Sequence, residues 1–360
     1  MDLLLSSYNQ KYRNGKRIIQ PDYIIRKRER LLHICLNSPG CRFRHTGSCA
    51  MCDYGQGKKI SKDVINEILQ QIKQENNIDS VLIGTLGSVF DEDEVPRGYL
   101  EKLFKFLQTS PINTVILESH YSTIDENLCV WLNKHLGEKD IVAEVGLESV
   151  DSFIQEKCLN KRINLRLLQE KIELLHRYNI SLTANIFLGA PFLNIREQMN
   201  DAENSIKWAM THMVDSVTIF PANIRKNTLL YFLYENKKYE PIQQWMVFEL
   251  LDKIPEGYLN RIFLSWYGDW IELDENKKQN NLPPISCEKC KSKWKEFYHC
   301  FQQTNVGKQR KYILKKYREI LKKSCDCYTI FENSFNKCVL HNREKRVEAN
   351  RMWVKEKMNL

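Results

Sequence analysis

The segment Cys41-Arg-Phe-Arg-His-Thr-Gly-Ser-Cys49-Ala-Met-Cys52 follows closely on an apolar run over residues 31–36 that has the composition of a β-strand. Its three cysteines stand at x7 and x2 spacings in one glycine-containing loop. Three thiolates can hold three irons of a [4Fe–4S] cube and leave the fourth iron without a protein ligand. A structural zinc site would need a fourth ligand, for which His45 is the candidate in the loop. The position at a strand end favours the cluster.

An alternation of short β-rich runs and longer helical patterns extends from about residue 30 to about residue 240. Six strands, each followed by a helix, and apolar on both faces, predict a parallel sheet covered by helices. An open doubly wound sheet and a curved partial barrel both fit this alternation, and chemistry lies at the carboxyl strand ends in either. The predicted strands cover residues 31–36, 80–84, 114–118, 141–147, 181–188 and 216–220, and the helices 61–75, 94–107, 125–135, 165–178, 195–210 and 229–236.

We predict an α/β fold, a partial (β/α)6 TIM-like barrel with a basic, cysteine-containing C-terminal extension. The parts are a basic N-terminal segment at 1–30, the barrel at 31–240 and the extension at 241–360, with Pro283-Pro284 marking the start of the basic tail. The chain has no signal peptide and no run of about 18 apolar residues, which predicts a cytoplasmic protein without a membrane span. Its twelve cysteines are then not expected to form disulfides, and the clustered ones are predicted to be metal ligands or catalysts.

The net charge of +9 is unevenly distributed. Residues 1–30 carry eight Lys/Arg against three acidic residues, and residues 285–360 carry nineteen against eight, so the middle of the chain is acidic. Basic ends on an acidic body suit a polyanion such as RNA, although a compositional bias towards lysine explains the excess equally well. The clusters are Lys289, Lys291, Lys293 and Lys295, and, on one predicted helix, Lys308, Arg310, Lys311, Lys315, Lys316 and Arg318.

Two further cysteine pairs lie in the basic tail. Cys287-x2-Cys290 and Cys325-x-Cys327 are compatible with a second metal, either zinc or an auxiliary iron–sulfur cluster, and free buried thiols are the alternative. Cys300 or Cys338 would be a substitute ligand. The remaining cysteines, Cys35, Cys129 and Cys158, have the pattern of core residues. The aromatic residues that we interpret as packing rather than as base-stacking surfaces are Trp245, Trp266, Tyr267 and Trp270.

This layout resembles the radical S-adenosylmethionine (SAM) superfamily, whose usual spacing is C-x3-C-x2-C. The longer loop resembles a narrower family, the radical SAM (beta) subunit of archaeosine synthase. Matching stretches cover about residues 30–330, and include residues 84–96, Glu144-Val-Gly-Leu-Glu-Ser149, Asn160-Lys161, residues 190–193, residues 217–228 and both C-terminal cysteine pairs.

The resemblance implies where SAM binds. Gly84, Gly87 and Ser88 lie at the end of the second predicted strand, where the family binds the SAM amino group. Arg162 would pair with the SAM carboxylate, and Glu144 is interpreted as a structural hydrogen-bonding residue. The other SAM-contacting candidates are Glu118, Glu148, Ser149 and Asn185.

The resemblance also implies an activity. A SAM-derived 5′-deoxyadenosyl radical would act on a lysine-modified deazaguanine base in tRNA, and the lyase reaction would leave the amidine of archaeosine. Implied partners are tRNA, an enzyme that supplies the lysine-modified base, and an electron donor such as ferredoxin or flavodoxin. Two alternatives remain. One is a radical SAM enzyme for a small molecule or peptide, including an aminocarboxypropyl transferase. The other is a zinc-stabilised nucleic-acid-binding protein.

Overall fold

The structure, a computed structural model, describes residues 22–45, 49–52, 57–265, 281–338, 340 and 342–359. Most of the predicted N-terminal basic segment lies outside these residues, as do Trp266, Tyr267 and Trp270. The strands of the described residues are β1 (Tyr23–Arg28), β2 (Leu31–Leu36), β3 (Ser80–Gly84), β4 (Thr114–Ser119), β5 (Asp140–Glu148), β6 (Ser181–Leu188), β7 (Ser216–Pro221), β8 (Ile224–Arg225), β9 (Ile262–Leu264) and β10 (Asn281–Leu282).

The helices follow the strands in alternation and then continue without strands at the C-terminal end. They are α1 (Lys62–Gln74), α2 (Arg97–Thr109), α3 (Glu126–Leu136), α4 (Leu165–Arg177), α5 (Ile195–Thr211), α6 (Leu229–Glu235), α7 (Gln244–Lys253), α8 (Glu256–Leu259), α9 (Glu288–Gln302), α10 (Gly307–Ser324), α11 (Cys327–Asn336) and α12 (Arg343–Met358). Short 3₁₀ turns cover Arg42–His45 and Tyr121–Thr123, and a π-helical turn covers Ile154–Leu159.

The main sheet has the order β1-β2-β3-β4-β5-β6-β7-β9, and β10 pairs with β8 in a separate antiparallel ribbon. Strands β2 to β7 and β9 are parallel, and β1 is antiparallel to β2. Because each right-handed crossover leads to the next neighbour in the same direction, the helices cover one face, and the sheet curls around the other. A doubly wound sheet would reverse its order at a switch point. The predicted α/β partial barrel is therefore confirmed.

Two strands of the sheet were not predicted. Tyr-Ile-Ile-Arg-Lys-Arg in β1 is too polar for a buried strand and lies at one edge. At the other edge, β9 is three residues long, and it comes from the region that we predicted to be the extension. Edge strands need pairing on one side only, so the alternation of apolar runs gives little signal for them.

Helix starts follow local capping, and one predicted start was wrong. Ser61, Asp125 and Asn194 accept hydrogen bonds from the first turns of α1, α3 and α5, where the sequence predicted those helices to begin. The helix predicted from residue 94 begins instead at Arg97, after Pro96. Glu94 is buried and accepts hydrogen bonds from Ser88 N (2.9 Å) and Ser38 Oγ (2.6 Å). Proline is accepted in the first turn of a helix, but it disfavours helical backbone at the residue that precedes it.

The basic cluster on α10 is only partly available to a polyanion, which changes one sequence interpretation. Arg310 is buried and donates to the backbone oxygens of Ile262 and Thr304, both at 2.6 Å. Arg318 pairs with Glu249 and Asp252 on α7 at 2.5 and 2.9 Å. These cations fix α10 onto the barrel. Within the described residues, no helix is long and apolar enough to cross a membrane.

Candidate active site

A cavity of about 570 Å³ opens at the carboxyl ends of the parallel strands. Cys41, Cys49 and Cys52 all line it, so the loop after β2 forms part of the mouth of the barrel. The rest of the lining comes mainly from β4 to β7 and the segments that follow them, including Glu118, Glu144 and further polar residues. This is the place where β/α barrels carry their chemistry, as predicted from the alternation.

Backbone contacts hold the cysteine loop against the barrel. Cys41 N donates to Leu86 O at 3.3 Å, and Ala50 N donates to Leu159 O at 2.9 Å. Gly87 is needed for this approach, since a Cβ at that position would come within 2.6 Å of Cys41 N. The sequence analysis predicted that Gly87 contacts SAM, whereas the structure places it against the Glu94 carboxyl group and the backbone of Cys41. Gly87 also lines the cavity, so its contact with SAM stays a prediction.

The donor set fits an iron–sulfur cluster with one open iron. Three thiols share the cavity, and burial raises the pKa of the Cys49 thiol, with a smaller contribution from Cys52 and Cys41. A bound metal would compensate this burial, because metals deprotonate their thiol ligands. His120 lines the cavity as well, and burial followed by Lys161 lowers its pKa to about 4. The side chain of His45, the predicted alternative zinc ligand, lies outside the described part.

A buried ion pair stands beside the loop. Lys161 Nζ is 2.8 Å from Glu148 Oε1, and the side chains are 18% and 14% exposed. Glu148 has a left-handed backbone conformation (φ 62°) at a register shift in β5. Gly146 leaves room for the pair, because a Cβ there would collide with Lys161 Nζ. Burial alone would lower the pKa of Lys161, but Glu148 and then Cys49 outweigh it and raise that pKa, so the lysine is charged.

Lys161 was not among the predicted site residues. The available signal was its place in Asn160-Lys161, a stretch that matched the family. Asn160 ends the π-helical turn in a left-handed conformation (φ 53°) and is buried, which sends the chain towards the cavity at residue 161. A π-turn of this kind is often found at functional sites.

Two carboxyl groups lie side by side on the floor of the cavity. Glu118 and Glu144 are direct partners across β4 and β5. Burial raises both pKa values, and the neighbouring Glu144 raises that of Glu118 further. Asn185 makes a hydrogen bond with Glu144, which is the structural role predicted for this glutamate. Within the described part of the chain, the polar atoms around them without a hydrogen-bond partner are Ser119 Oγ, Asn185 Oδ1 and both amide atoms of Asn223.

The structure brings together five of the predicted SAM-contacting residues. Gly87, Glu118, Glu148, Arg162 and Asn185 line the cavity. Their contacts with SAM stay predictions.

The other three predicted SAM residues do not line the cavity. Ser88 lies behind its wall, where its Oγ is 3.0 Å from Thr123 Oγ1 and accepts from His120 N. Ser149 is fully buried and donates to Asp201 Oδ1 at 2.6 Å. Gly84 lies against the Glu118 carboxyl group.

The four C-terminal cysteines meet as the sequence predicted. The sulfur atoms of Cys287, Cys290, Cys325 and Cys327 all lie within 4.8 Å of one another. Cys300 lies outside this group, with its sulfur 3.5 Å from Tyr317 Oη, and Cys338 Sγ donates to Ser334 O. None of the four lines the main cavity.

Comparisons with known proteins give distant relatives. No family model matches the chain. It is 27% identical over 287 residues to an uncharacterized protein of Methanocaldococcus jannaschii, which covers 76% of this chain and 77% of the relative. It is 26% identical over 227 residues to archaeosine synthase subunit beta of Methanosarcina acetivorans, covering 61% of this chain and 65% of the relative. The solved structure of Methanocaldococcus infernus Elp3 is 14% identical with a TM-score of 0.47, covering 65% of this chain and 57% of that one, and is too distant to carry a conclusion.

A parallel β/α half-barrel with a three-cysteine loop at its mouth resembles the layout of radical SAM enzymes, a class whose cofactors are a [4Fe–4S] cluster and SAM. Within this class, the chain resembles the beta subunits of archaeosine synthase, as the sequence predicted. The match spans just under two thirds of the length of the Methanosarcina acetivorans protein.

Proposed function

We propose that this protein is a radical SAM lyase that acts on a lysine-modified deazaguanine base in tRNA. The observation that carries the proposal is the loop of Cys41, Cys49 and Cys52, which opens into a largely apolar cavity with a few polar side chains, in a chain whose curated relatives include archaeosine synthase beta subunits. Cys41, Cys49 and Cys52 would hold a [4Fe–4S] cluster, which would supply the one-electron chemistry that cleaves SAM. Binding, positioning and the exclusion of water fall to this chain's own residues.

The ion pair of Lys161 and Glu148 fixes the wall next to Cys49. A lysine held charged beside a thiolate offsets part of the negative charge that the cysteine loop carries, which helps to keep the thiolates deprotonated in a buried place. Glu148 anchors that lysine from β5, so the positive charge cannot move away from the loop. Together they form a preorganised wall, and the barrel around it keeps water from a reactive radical.

Recognition of substrate falls to the floor of the cavity. The unpartnered atoms of Ser119, Asn185 and Asn223 are donors and acceptors that a bound polar ligand would satisfy. Arg162 lines the rim, pairs with Glu156 at 3.3 Å and is largely exposed, so its guanidinium can exchange that partner for a carboxylate. A nitrogen-rich base must leave its stack to reach this depth, as bases do in other base-modifying enzymes.

The proposed reaction also requires partners. The relatives are named as subunits, which supports a second protein that prepares the lysine-modified base. The tRNA backbone would contact exposed lysines of α10, such as Lys308, Lys315 and Lys316. A ferredoxin or flavodoxin would supply the electron.

A second candidate is a radical SAM enzyme for a small molecule or peptide. This candidate is favoured because several arginines of the C-terminal region are already paired within the protein. Arg310, Arg318 and Arg343 bind carbonyl or carboxylate groups of the barrel and its neighbouring helices. These arginines therefore cannot be counted among the charges that would bind the phosphates of a polyanion.

One anaerobic experiment tests the proposal. The purified protein should hold about four irons at the loop and form 5′-deoxyadenosine from SAM in the presence of dithionite. Product formation should rise with tRNA carrying the lysine adduct and not with unmodified tRNA. Cys49→Ala should lose the activity, whereas Cys300→Ser, which changes a cysteine outside both sulfur groups, should keep it. Equal turnover with modified tRNA, unmodified tRNA and no tRNA would favour the small-molecule candidate.

A further inference from the structure

Three helices of the C-terminal region meet at one point. Cys287 is the N-cap residue of α9, and Cys290 is in its first turn. Cys325 follows the last residue of α10, and Cys327 begins α11. Three of the sulfurs therefore lie at the start of a helix, and that of Cys325 lies at the C-terminal end of α10. The group is built from a helix start and a helix junction that are about 35 residues apart in the chain.

The spacing of the sulfurs identifies the kind of metal. A tetrahedral ion with metal–sulfur bonds of about 2.3 Å places its sulfurs roughly 3.8 Å apart. Here all four lie within 4.8 Å of one another, and Cys287 Sγ is 3.4 Å from Cys290 Sγ. A [4Fe–4S] cube instead carries its cysteines on four different irons, which directs the sulfurs away from a common centre and farther apart. The group is too compact for a multinuclear cluster and has the size of a single-ion site.

We propose that Cys287, Cys290, Cys325 and Cys327 bind one tetrahedral Zn²⁺, separate from the iron–sulfur cluster, and that this ion fixes the junction of α10 and α11 against α9. Four thiolates in a tetrahedron select zinc among the common divalent ions. All four ligand positions are filled by protein, which is the arrangement of a structural site rather than of a catalytic one. The four cysteines do not line the catalytic cavity either, so the ion has no place in the chemistry there.

The packing shows what the ion would hold. Trp245 of α7 lies between Trp294 of α9, at 5.2 Å between ring centroids, and Tyr328 of α11, at 4.7 Å. Both partners of Trp245 are on helices that carry a cysteine of the group in their first turn, Cys290 on α9 and Cys327 on α11. The ion would clamp α9 and α11 around Trp245, and thereby connect the tail to the barrel through α7. Trp294 and Phe297 of α9 are fully buried, and α10, a largely polar helix, buries Leu314, Tyr317 and Leu321. A bound ion would add its binding free energy to this packing at the ends of the helices.

The test uses the full chain with the first cluster removed. The variant Cys41→Ala/Cys49→Ala/Cys52→Ala, purified from cells given both metals, should be colourless and contain about one zinc per chain and no iron. Adding Cys325→Ser and Cys327→Ser should reduce bound zinc about tenfold or more. The matched control adds Cys300→Ser and Cys338→Ser instead, which changes two nearby cysteines outside the group and should leave the zinc content unchanged.

Two further readouts apply if the Cys325 and Cys327 variants do not fold. Cobalt exchanged into the three-alanine variant should show intense tetrahedral visible bands and thiolate charge transfer, and a mercurial reagent should release about one zinc per chain. Iron retained in the three-alanine variant would overturn the zinc assignment in favour of an iron site. Absence of both metals in a folded protein would overturn the metal site altogether. Neither result bears on SAM cleavage, so this inference and the proposed function fail separately.

Discussion

Lys161 Nζ lies 2.8 Å from Glu148 Oε1 in a pair that joins the end of β5 to the segment after the π-helical turn, next to Cys49. The two residues are 13 positions apart in the chain, so the fold, rather than local sequence, brings them together. Glu148 can reach the lysine because its backbone is left-handed at a bulge, and Gly146 keeps the intervening space empty. Strained backbone of this kind persists where surrounding structure fixes it, and it is concentrated at functional sites.

Replacing one residue of this pair should lower the free energy of unfolding more than replacing both residues. Lys161→Met leaves the Glu148 carboxylate largely buried without its partner, and should lower the free energy of unfolding by about 2–3 kcal/mol. The double variant Lys161→Met/Glu148→Leu should recover a large part of that loss, since neither charge remains. Urea unfolding of the apo protein measures both values, and iron content after reconstitution should fall in the single variant. Equal stability of the wild type and Lys161→Met would contradict a role for the pair.

Gly87→Ala should impair cluster assembly. A methyl group at residue 87 would press on the buried Glu94 carboxyl group and on the backbone of Cys41, and would shift the loop. We expect reconstituted iron to fall at least twofold from about four per chain. The control is Gly98→Ala at the start of α2, where a Cβ meets no atom within 4 Å in the described structure. That change should leave iron content intact and stabilise the helix by about 0.5–1 kcal/mol. Normal iron content in Gly87→Ala would mean that the loop tolerates the shift.

The buried carboxyl pair should make stability fall as pH rises. Glu118 and Glu144 have pKa values raised by burial, so above the unfolded carboxyl pKa of about 4.3 the folded state binds more protons than the unfolded state. By linkage, the free energy of unfolding then decreases with pH until the raised pKa values are passed. Glu144→Gln removes part of this slope and should gain stability over the wild type between about pH 5 and pH 8, measured by urea midpoints.

Glu203→Gln is the control of opposite sign. Burial opposes ionisation of Glu203, but hydrogen bonds from Lys207 and Lys253 outweigh it and lower its pKa. Its contribution to stability is present above the unfolded pKa and is lost as pH falls through the folded one. The variant should therefore be less stable than the wild type at pH 7 and approach it in acid. If both glutamate variants changed the slope in the same direction, the assigned pKa shifts would be wrong.

The C-terminal helix should depend on its arginines. Arg346 pairs with Glu197, a buried residue of the capping box of α5, and Arg343 pairs with Asp151 at 2.8 Å. Arg346→Ala leaves a buried carboxylate without this cation and should destabilise by about 2 kcal/mol. Arg166→Ala, which breaks an exposed pair with Glu170 on α4, should cost less than about 0.5 kcal/mol. Thermal or urea unfolding compares them, and equal effects would show that α12 does not rely on this contact.

Binding of tRNA should depend on exposed lysines and not on the internal cations of α10. Neutralising Lys315, Lys316 and Lys323 to Gln should weaken tRNA binding, and flatten the salt dependence by up to about 0.9 in the log–log slope for each phosphate that the variant no longer neutralises. The matched control also neutralises three exposed lysines, Lys62, Lys105 and Lys134, on α1, α2 and α3. Fluorescence anisotropy over a salt series measures both. Binding that is independent of salt in the wild type would remove tRNA as the substrate.

Local patterns determined most of the barrel. Strand β6 covers the predicted residues 181–188, and most helices of the barrel begin within one residue of their predicted start, because caps such as Ser61 and Asp125 act on their own first turn. The cysteine loop was visible in the sequence for the same reason, since its three ligands lie within twelve residues. The four C-terminal cysteines form two pairs that are close in sequence, so the sequence needed to predict only that the two pairs meet.

Only the tertiary structure decided which distant groups share the site. The sequence contains Glu118, Glu144 and Lys161 without any sign of which charges face each other, because strand register and a single bulge at Glu148 set those distances. It also presents Arg310 and Arg318 as surface cations, whereas the fold uses them to cap carbonyls and pair with α7. Charge and spacing are properties of the chain, but whether a charge meets solvent, a phosphate or a buried carboxylate depends on what packs beside it.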